Sequence, residues 1–204
     1  MSDAATGTPD SRPTITATTA SDAERTVAVI VLAFAADPAA RWTFPEAETY
    51  LAHFPAVVRA FGGNAFAHGA AHHVEDFAGA ALWLPPGVHP DQDTMAAIVQ
   101  QAVAPERQGE VVAVFERMGS CHPAEPHWYL PLIGVDPAHQ RLGHGSALLA
   151  HALRRCDEDH LPAYLESSNP ANIPLYERHG FEVIDTIQIG ASPPIVPMLR
   201  QARS

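Results

Sequence analysis

HWYLPLIGVDPAHQRLGHGSALLAHALRR, residues 127–155, sets a glycine pair between an apolar run and an amphipathic one. Residues 128–135 read as a buried strand, and beyond the pair Leu148, Leu149, Ala152, Leu153 and Cys156 fall on one helical face. The arrangement is strand, tight loop, helix. A helix start leaves its first amides unpaired and carries the positive end of the macrodipole, and glycines let the main chain close around an anion without a β-carbon in the way. The loop therefore suits a pyrophosphate. A dinucleotide fingerprint would need a third glycine where this chain has Leu148, and a P-loop would need a lysine. The sequence contains no lysine.

Composition narrows the classes further. A chain of 204 residues, 47% hydrophobic, is long enough for one sizeable core, so residues 13–204 are expected to form a single domain behind a loose polar tail at 1–12. The formal net charge of −11 argues against nucleic acid and favours a cationic or neutral partner. Without lysine there is no Schiff-base chemistry and no pyridoxal-phosphate anchor. Cys121 and Cys156 make neither a disulfide framework nor a zinc site. The longest apolar run, 27–36, is too short to span a bilayer, so a soluble cytoplasmic protein with no membrane partner is expected.

Along the chain, 14–18 alternates like a short strand, and Ser21-Asp22-Ala23-Glu24 reads as a capping box for a helix ending near Asp37-Pro38. A second helix is expected from Pro45 to Gly62-Gly63, with Pro55 kinking it. Strands at 65–74 and 79–84 look like a hairpin, and 87–126 contains two helical patterns. The carboxyl half then alternates: strand 128–135, helix 145–157, strand 163–167, helix 171–179, strand 181–189, and a last strand at 195–199.

Two motifs carry a resemblance. Gln140-x-x-Gly143-x-Gly145 has the spacing of the coenzyme A pyrophosphate loop of GNAT-type N-acetyltransferases. Downstream, Asn169 stands seven residues before Tyr176, and Gly180-Phe181 follows four residues after it, similar to the same family's second coenzyme A strand and the helix behind it. The Leu165-Glu166-x-Ser168 and Asn172-x-Pro174-x-Tyr176 pattern, with the turn at 34–41, most resembles the puromycin N-acetyltransferase branch. The likeness is good over roughly 127–185 and elsewhere extends only to element order.

The resemblance implies an α/β fold with a central mixed, mostly antiparallel sheet, one splayed parallel strand pair and flanking helices. It implies acetyl-CoA as co-substrate and a small-molecule amine as acceptor, with no metal. Main chain at Ile133, Gly134 and Val135 would pair with the pantetheine arm. Gln140 and the segment Arg141, Leu142, Gly143, His144, Gly145 and Ser146 would hold the pyrophosphate, with Asn169, Asn172 and Tyr176 completing the site. Tyr176 matches the family's general acid, and an amide near Ile133 would meet the oxyanion.

The base is open among Glu166, His122, His127 and water. Alternation puts Tyr164 and Glu166 on one face of their strand, and the two histidines flank the loop before the coenzyme strand. Glu75, Asp76 and Asp37 could recognise a cation. Trp42, Phe44, Tyr50 and Phe115 could line an acceptor pocket or simply fill the core. His68, His72 and His73 suggest a metal only weakly, because His72 and His73 alternate to opposite faces. A coenzyme A sensor without catalysis, another acyl donor, or a protein N-terminus as acceptor are the rival readings; the oligomeric state is not readable.

Overall fold

The computed structural model describes residues 13–203, so the tail expected at 1–12 lies outside the described residues. Its centre is a seven-stranded sheet in the order β1-β2-β3-β4-β5-β7-β6, with β1 Ile15–Ala17, β2 Ala71–Val74, β3 Gly79–Leu84, β4 Trp128–Val135, β5 Ala163–Ser167, β6 Glu182–Val183 and β7 Val196–Arg200. Every neighbouring pair is antiparallel except β4 and β5. The mixed sheet with one parallel pair is as expected.

Helices cover both faces. On one side lie α1 Ala23–Ala33, α3 Ala47–Gly62, α5 Gln92–Ala102 and α6 Pro105–Cys121; on the other lies α7 His144–Glu158, with the short α8 Ile173–Arg178 beside it. β3 shows why. Ala80, Leu82 and Leu84 enter the first core and Ala81 and Trp83 the second, so all six of its residues are buried. The close fit of α1 over β4 depends on Gly134, where an added β-carbon would lie 2.6 Å from that of Ala33.

Several boundaries differ from expectation, each for a local reason. The capping box does not form: a 3-10 turn at Ala20–Asp22 precedes α1, Thr19 donates to Asp22 at 2.7 Å, and Glu24 pairs with Arg59 of α3 at 2.6 Å. Asp37-Pro38 does not end α1 but opens α2 Pro38–Thr43, with Asp37 accepting from the amides of Ala39 and Ala40 at 3.0 Å and proline at the first turn. Residues Asn64–Ala67 form a helical turn, α4, rather than strand, and the strand begins only after Gly69 at φ +62°. α3 begins at Ala47 and runs through Pro55; the Leu51 carbonyl that proline cannot bond belongs to a residue 64% exposed.

The strand expected at 181–189 is only two residues long. Ile184 donates to the Pro197 carbonyl at 3.0 Å, but Pro197 has no N–H to return, so the ladder stops and resumes as a single bridge between Ile187 and Ile195. The helix expected at 171–179 is split into a 3-10 turn at Pro170–Asn172 and α8. Among the described residues no helix is long and apolar enough to cross a membrane.

Candidate active site

β4 and β5 pair only from Trp128 with Ala163 to Leu130 with Leu165, and then part. The cause is in β4. Its register against β3 shifts between Leu82, opposite Leu132, and Leu84, opposite Tyr129, so β4 carries one extra residue there. Pro131 sits in that bulge, where a missing N–H costs no ladder bond, and a bulge bends its strand. Proline in a sheet is otherwise confined to edge strands or strand starts, but β4 lies between β3 and β5, so the bulge is what accommodates it.

Which main-chain groups face the gap follows from the ladder. Asp136 donates to the carbonyl of Ala78, the residue just before β3, at 2.9 Å, so in the antiparallel register the even residues of β4 face β3. Ile133 and Val135 then point the other way, and Val135 does: its carbonyl accepts from Gln140 Nε2 at 3.3 Å. The Ile133 N–H and C=O are left facing the opening beside β5.

The gap leads into a cavity of about 880 Å³ whose wall includes Ile133, Val135, Gln140, Gly143, Gly145 and Ser146. Gly134, Arg141 and His144 also line it, as do Asn169, Asn172, Tyr176 and Glu166. Leu142 does not; its side chain belongs to a residue 62% exposed. Arg141 at φ +63° and Gly143 at φ +85° turn the chain sharply into α7. A β-carbon at Gly145 would meet Leu175 at 3.5 Å and Val135 at 3.8 Å, ordinary contact distances, so the protein's own packing does not demand that glycine. Its bareness serves whatever approaches the first turn of α7. Together with Arg141 and Arg178 on the same wall, that turn is built for an anion and fits a coenzyme A pyrophosphate.

Some of the polar groups are already engaged. Ser146 Oγ lies 2.8 Å from His179 Nε2, and Asn169 Oδ1 accepts from the Ala171 amide at 3.0 Å. Tyr176 is buried in the wall; burial, and then the charge of Asp37, push its phenol well above the ordinary value, so it stays protonated. Asp37 also lines the cavity, and burial raises its carboxyl despite bonds from Ser168 and the amides of Ala40 and Ala39. Glu75 and Asp76 are elsewhere: Glu75 accepts from the Thr14 amide and Asp76 pairs with Arg25.

Glu166 lies at the gap with its side chain only 2% exposed, on the face of β5 that Tyr164 shares. Its Oε1 is buried without an aligned hydrogen bond and lies 3.3 Å from His122 Nε2. His122 Nδ1 is 3.1 Å from His127 Nε2, and His127 Nδ1 is 2.8 Å from the Glu125 carbonyl. The three side-chain candidates for the base are thus one connected row. Tyr129 and Tyr164, which sequence reasoning did not single out, pack their rings 4.6 and 4.4 Å from that of His122.

Trp42, Phe44 and Phe115 do line the cavity. Tyr50 does not: it is core, and its hydroxyl donates to the Val31 carbonyl at 2.6 Å. Phe34, Phe61 and Met118 were missed as lining; the stripe Val111, Val114, Phe115 and Met118 on α6 was the available signal. Both cysteines have thiols raised by burial, Cys156 to about 12, which keeps them from serving as thiolates. His72 and His73 face apart, His72 against His151 at 4.6 Å and His73 on Phe77 at 3.9 Å.

Comparison with known proteins agrees with this geometry. Residues 103–181 match the profile of the Acetyltransferase (GNAT) family. An uncharacterised N-acetyltransferase of Schizosaccharomyces pombe is 37% identical over 71 residues, which make up 35% of this chain and 29% of that protein. Over nearly whole chains, 94% of this one and 97% of the other, the structure of a histone acetyltransferase HPA2 and related acetyltransferase from Corynebacterium glutamicum superposes with a TM-score of 0.70 at 26% identity. A Drosophila melanogaster polyamine N-acetyltransferase shares the fold, with a TM-score of 0.66 at 14% identity over 93% of this chain and all of that one. The fold is that of the GNAT acetyltransferases, and the chain spans less than two fifths of the length of the curated relatives it matches.

Proposed function

We propose that this GNAT-fold protein is an acetyl-CoA-dependent N-acetyltransferase that transfers its acetyl group directly to the amine of a small molecule. One observation carries the reading: the bare first turn of α7, the splayed β4–β5 gap, Tyr176 and Glu166 all open on one cavity.

Acetyl-CoA supplies a thioester whose carbonyl takes the amine and whose thiolate departs. The amides from Arg141 to Ser146 hold the pyrophosphate, with Gln140, Asn169 and Asn172 bordering it, and main chain at Ile133, Gly134 and Val135 lines the pantetheine arm. Glu166 accepts the proton of the incoming ammonium. The Ile133 N–H, turned away from β3, is the donor placed for the oxyanion, a contact worth on the order of 10²–10³ in rate. Tyr176 gives its proton to the departing sulfur and regains one from the amine nitrogen. Such general acid–base work contributes about 10²–10⁴-fold.

The finer placement near the puromycin N-acetyltransferase branch, hence an antibiotic-like amine, is supported by the Leu165-Glu166-x-Ser168 and Asn172-x-Pro174-x-Tyr176 pattern. The apolar wall of Phe34, Trp42, Phe61, Phe115 and Met118 suits an amine with a hydrophobic body. The test is titration calorimetry with acetyl-CoA and coenzyme A, followed by thiol release against a panel of amines that includes puromycin. Binding with amine-dependent release is expected; absence of binding would overturn the reading of the glycine pair.

A further inference from the structure

Transfer of acetyl from a thioester to an ammonium yields an amide, a neutral thiol and one free proton. Glu166, which takes that proton under the proposed function, is 2% exposed at its side chain and must be cleared before the next turnover. The row behind it leads outward. We infer that Glu166, His122 and His127 form a proton relay that carries the amine's proton from the cavity to the surface, with its direction set by the Glu125 carbonyl.

The order of protons follows from the chemistry of the acceptors. A carbonyl can only accept, so His127 Nδ1, 2.8 Å from the Glu125 oxygen, carries a hydrogen. With His127 neutral, its Nε2 is a lone pair, and His122 Nδ1, 3.1 Å away, must donate to it. That leaves His122 Nε2 as a lone pair turned toward Glu166 Oε1 at 3.3 Å, an ion-pair contact rather than an aligned hydrogen bond. Two acceptors face each other, and one added proton relieves them. The row is therefore poised to hold one proton in excess.

Movement along it balances. The O–H bond formed at Glu166 breaks as an N–H bond forms at His122 Nε2. His122 gives its Nδ1 hydrogen to His127 Nε2, and the positive charge passes to His127. That ring is half-exposed and gives the Nε2 hydrogen to water while keeping Nδ1–H on the Glu125 carbonyl. His122, now protonated at Nε2 and with a side chain 25% exposed, returns to its Nδ1–H tautomer by proton exchange with water. Packing keeps the middle ring in line, with Tyr164 and Tyr129 at centroid distances of 4.4 and 4.6 Å. The other titratable or charged groups felt by the row are the hydroxyls of Tyr129 and Tyr164, which both interact with the Glu166 carboxylate and are held protonated by burial, Cys121, Arg117 and Asp185 around α6 and β6, and His89. Burial lowers the His127 imidazole, opposed by its bond to Glu125, which favours release of the proton once it arrives. His122 and His127 act through Glu166 and are positioning residues rather than catalytic ones.

The inference rests on the acetyltransferase reading, and its test separates the two. Nitrogen-15 spectra of histidine-labelled protein without ligands are expected to show His127 protonated at Nδ1, and His122 protonated at Nδ1 in its neutral form; an Nε2–H tautomer at His127 overturns the relay whatever the protein acetylates. In thiol-release assays, His127→Phe is expected to lower kcat about tenfold or more. The KM for amine, the acetyl-CoA affinity and the melting temperature should stay unchanged, and added imidazole buffer should restore part of the rate. His122→Phe, which keeps the aromatic packing, should lose more. Unchanged kcat in both variants would overturn the relay, while failure of the wild type to bind acetyl-CoA would overturn the function and leave the tautomer result to decide the proton order.

Discussion

Ser168 donates a 2.6 Å hydrogen bond to Asp37 Oδ2 and so ties the end of β5 to the start of α2 across 131 positions of sequence. The other carboxylate oxygen caps α2 through Ala39 and Ala40. One buried side chain thus positions two parts of the cavity wall. Asp37→Ala removes the cap, worth about 1–2 kcal/mol, and strands the Ser168 hydroxyl, worth about 1 kcal/mol more. At about 2–4 °C per kcal/mol for a chain of this size, the melting temperature is expected to fall by roughly 5–10 °C. Calorimetry reads this directly, and an unchanged midpoint would show that the link holds nothing.

Tyr176 stands in the cavity wall with a phenol that burial and Asp37 keep protonated. Tyr176→Phe keeps the ring that packs against Phe181 at 6.2 Å and removes only the donor. The expected result is a fall in kcat of about 10²-fold or more, with acetyl-CoA affinity and melting temperature near wild type. Stopped-flow thiol detection separates that outcome from its rival. Turnover equal to wild type would remove Tyr176 from the chemistry.

Gly145 and Gly134 are both bare for different reasons, and alanine tells them apart. At Gly145 a methyl group has room, with Leu175 at 3.5 Å, and alanine favours a helix by about 1 kcal/mol over glycine. Gly145→Ala should therefore melt no lower than wild type yet bind acetyl-CoA less tightly, by about tenfold if one amide contact is lost. Gly134→Ala drives a methyl group to 2.6 Å from Ala33 and should cost about 1–3 kcal/mol in a urea titration. Tight binding by Gly145→Ala would remove the reason for a glycine there.

What could be read from the sequence was local. The strand at 128–135, the glycine pair and the stripe of Leu148, Leu149, Leu153 and Cys156 each lie within one element, and their periods match the structure. The parting of β4 from β5 was implied by resemblance, and its cause, a bulge at Pro131, appears only when β4 is laid against β3. β6 was overextended because Pro197, which stops its ladder, lies on another strand. The row from Glu166 to His127 was invisible for the same reason. Its members were singled out one by one, but β5 and the end of α6 must be packed together before His122 meets Glu166. α4 was mistaken for strand because four small and aromatic residues carry too little period to decide.

Acid should loosen the fold before any carboxylate pair is broken. Burial lowers the His72 imidazole from 6.5 to about 4, with the charges of His151 and His73 acting in the same direction. Between those values the unfolded chain takes a proton that the folded one refuses, so stability falls as pH drops through 6.5 and levels off below about 4. His73, His127, His151 and His179 are lowered too and add to the slope. Asp37, whose carboxyl is raised, opposes it as a single group. Asp157, held low by the Arg200 guanidinium that grips both its oxygens, acts only at more acid pH, below the ordinary carboxylate value of 3.8. Urea midpoints measured from pH 7.5 to 4.5 should fall steadily, and His72→Phe, which cannot titrate, should flatten part of that fall. A midpoint that holds level across this range would mean that His72 is not kept neutral by the fold.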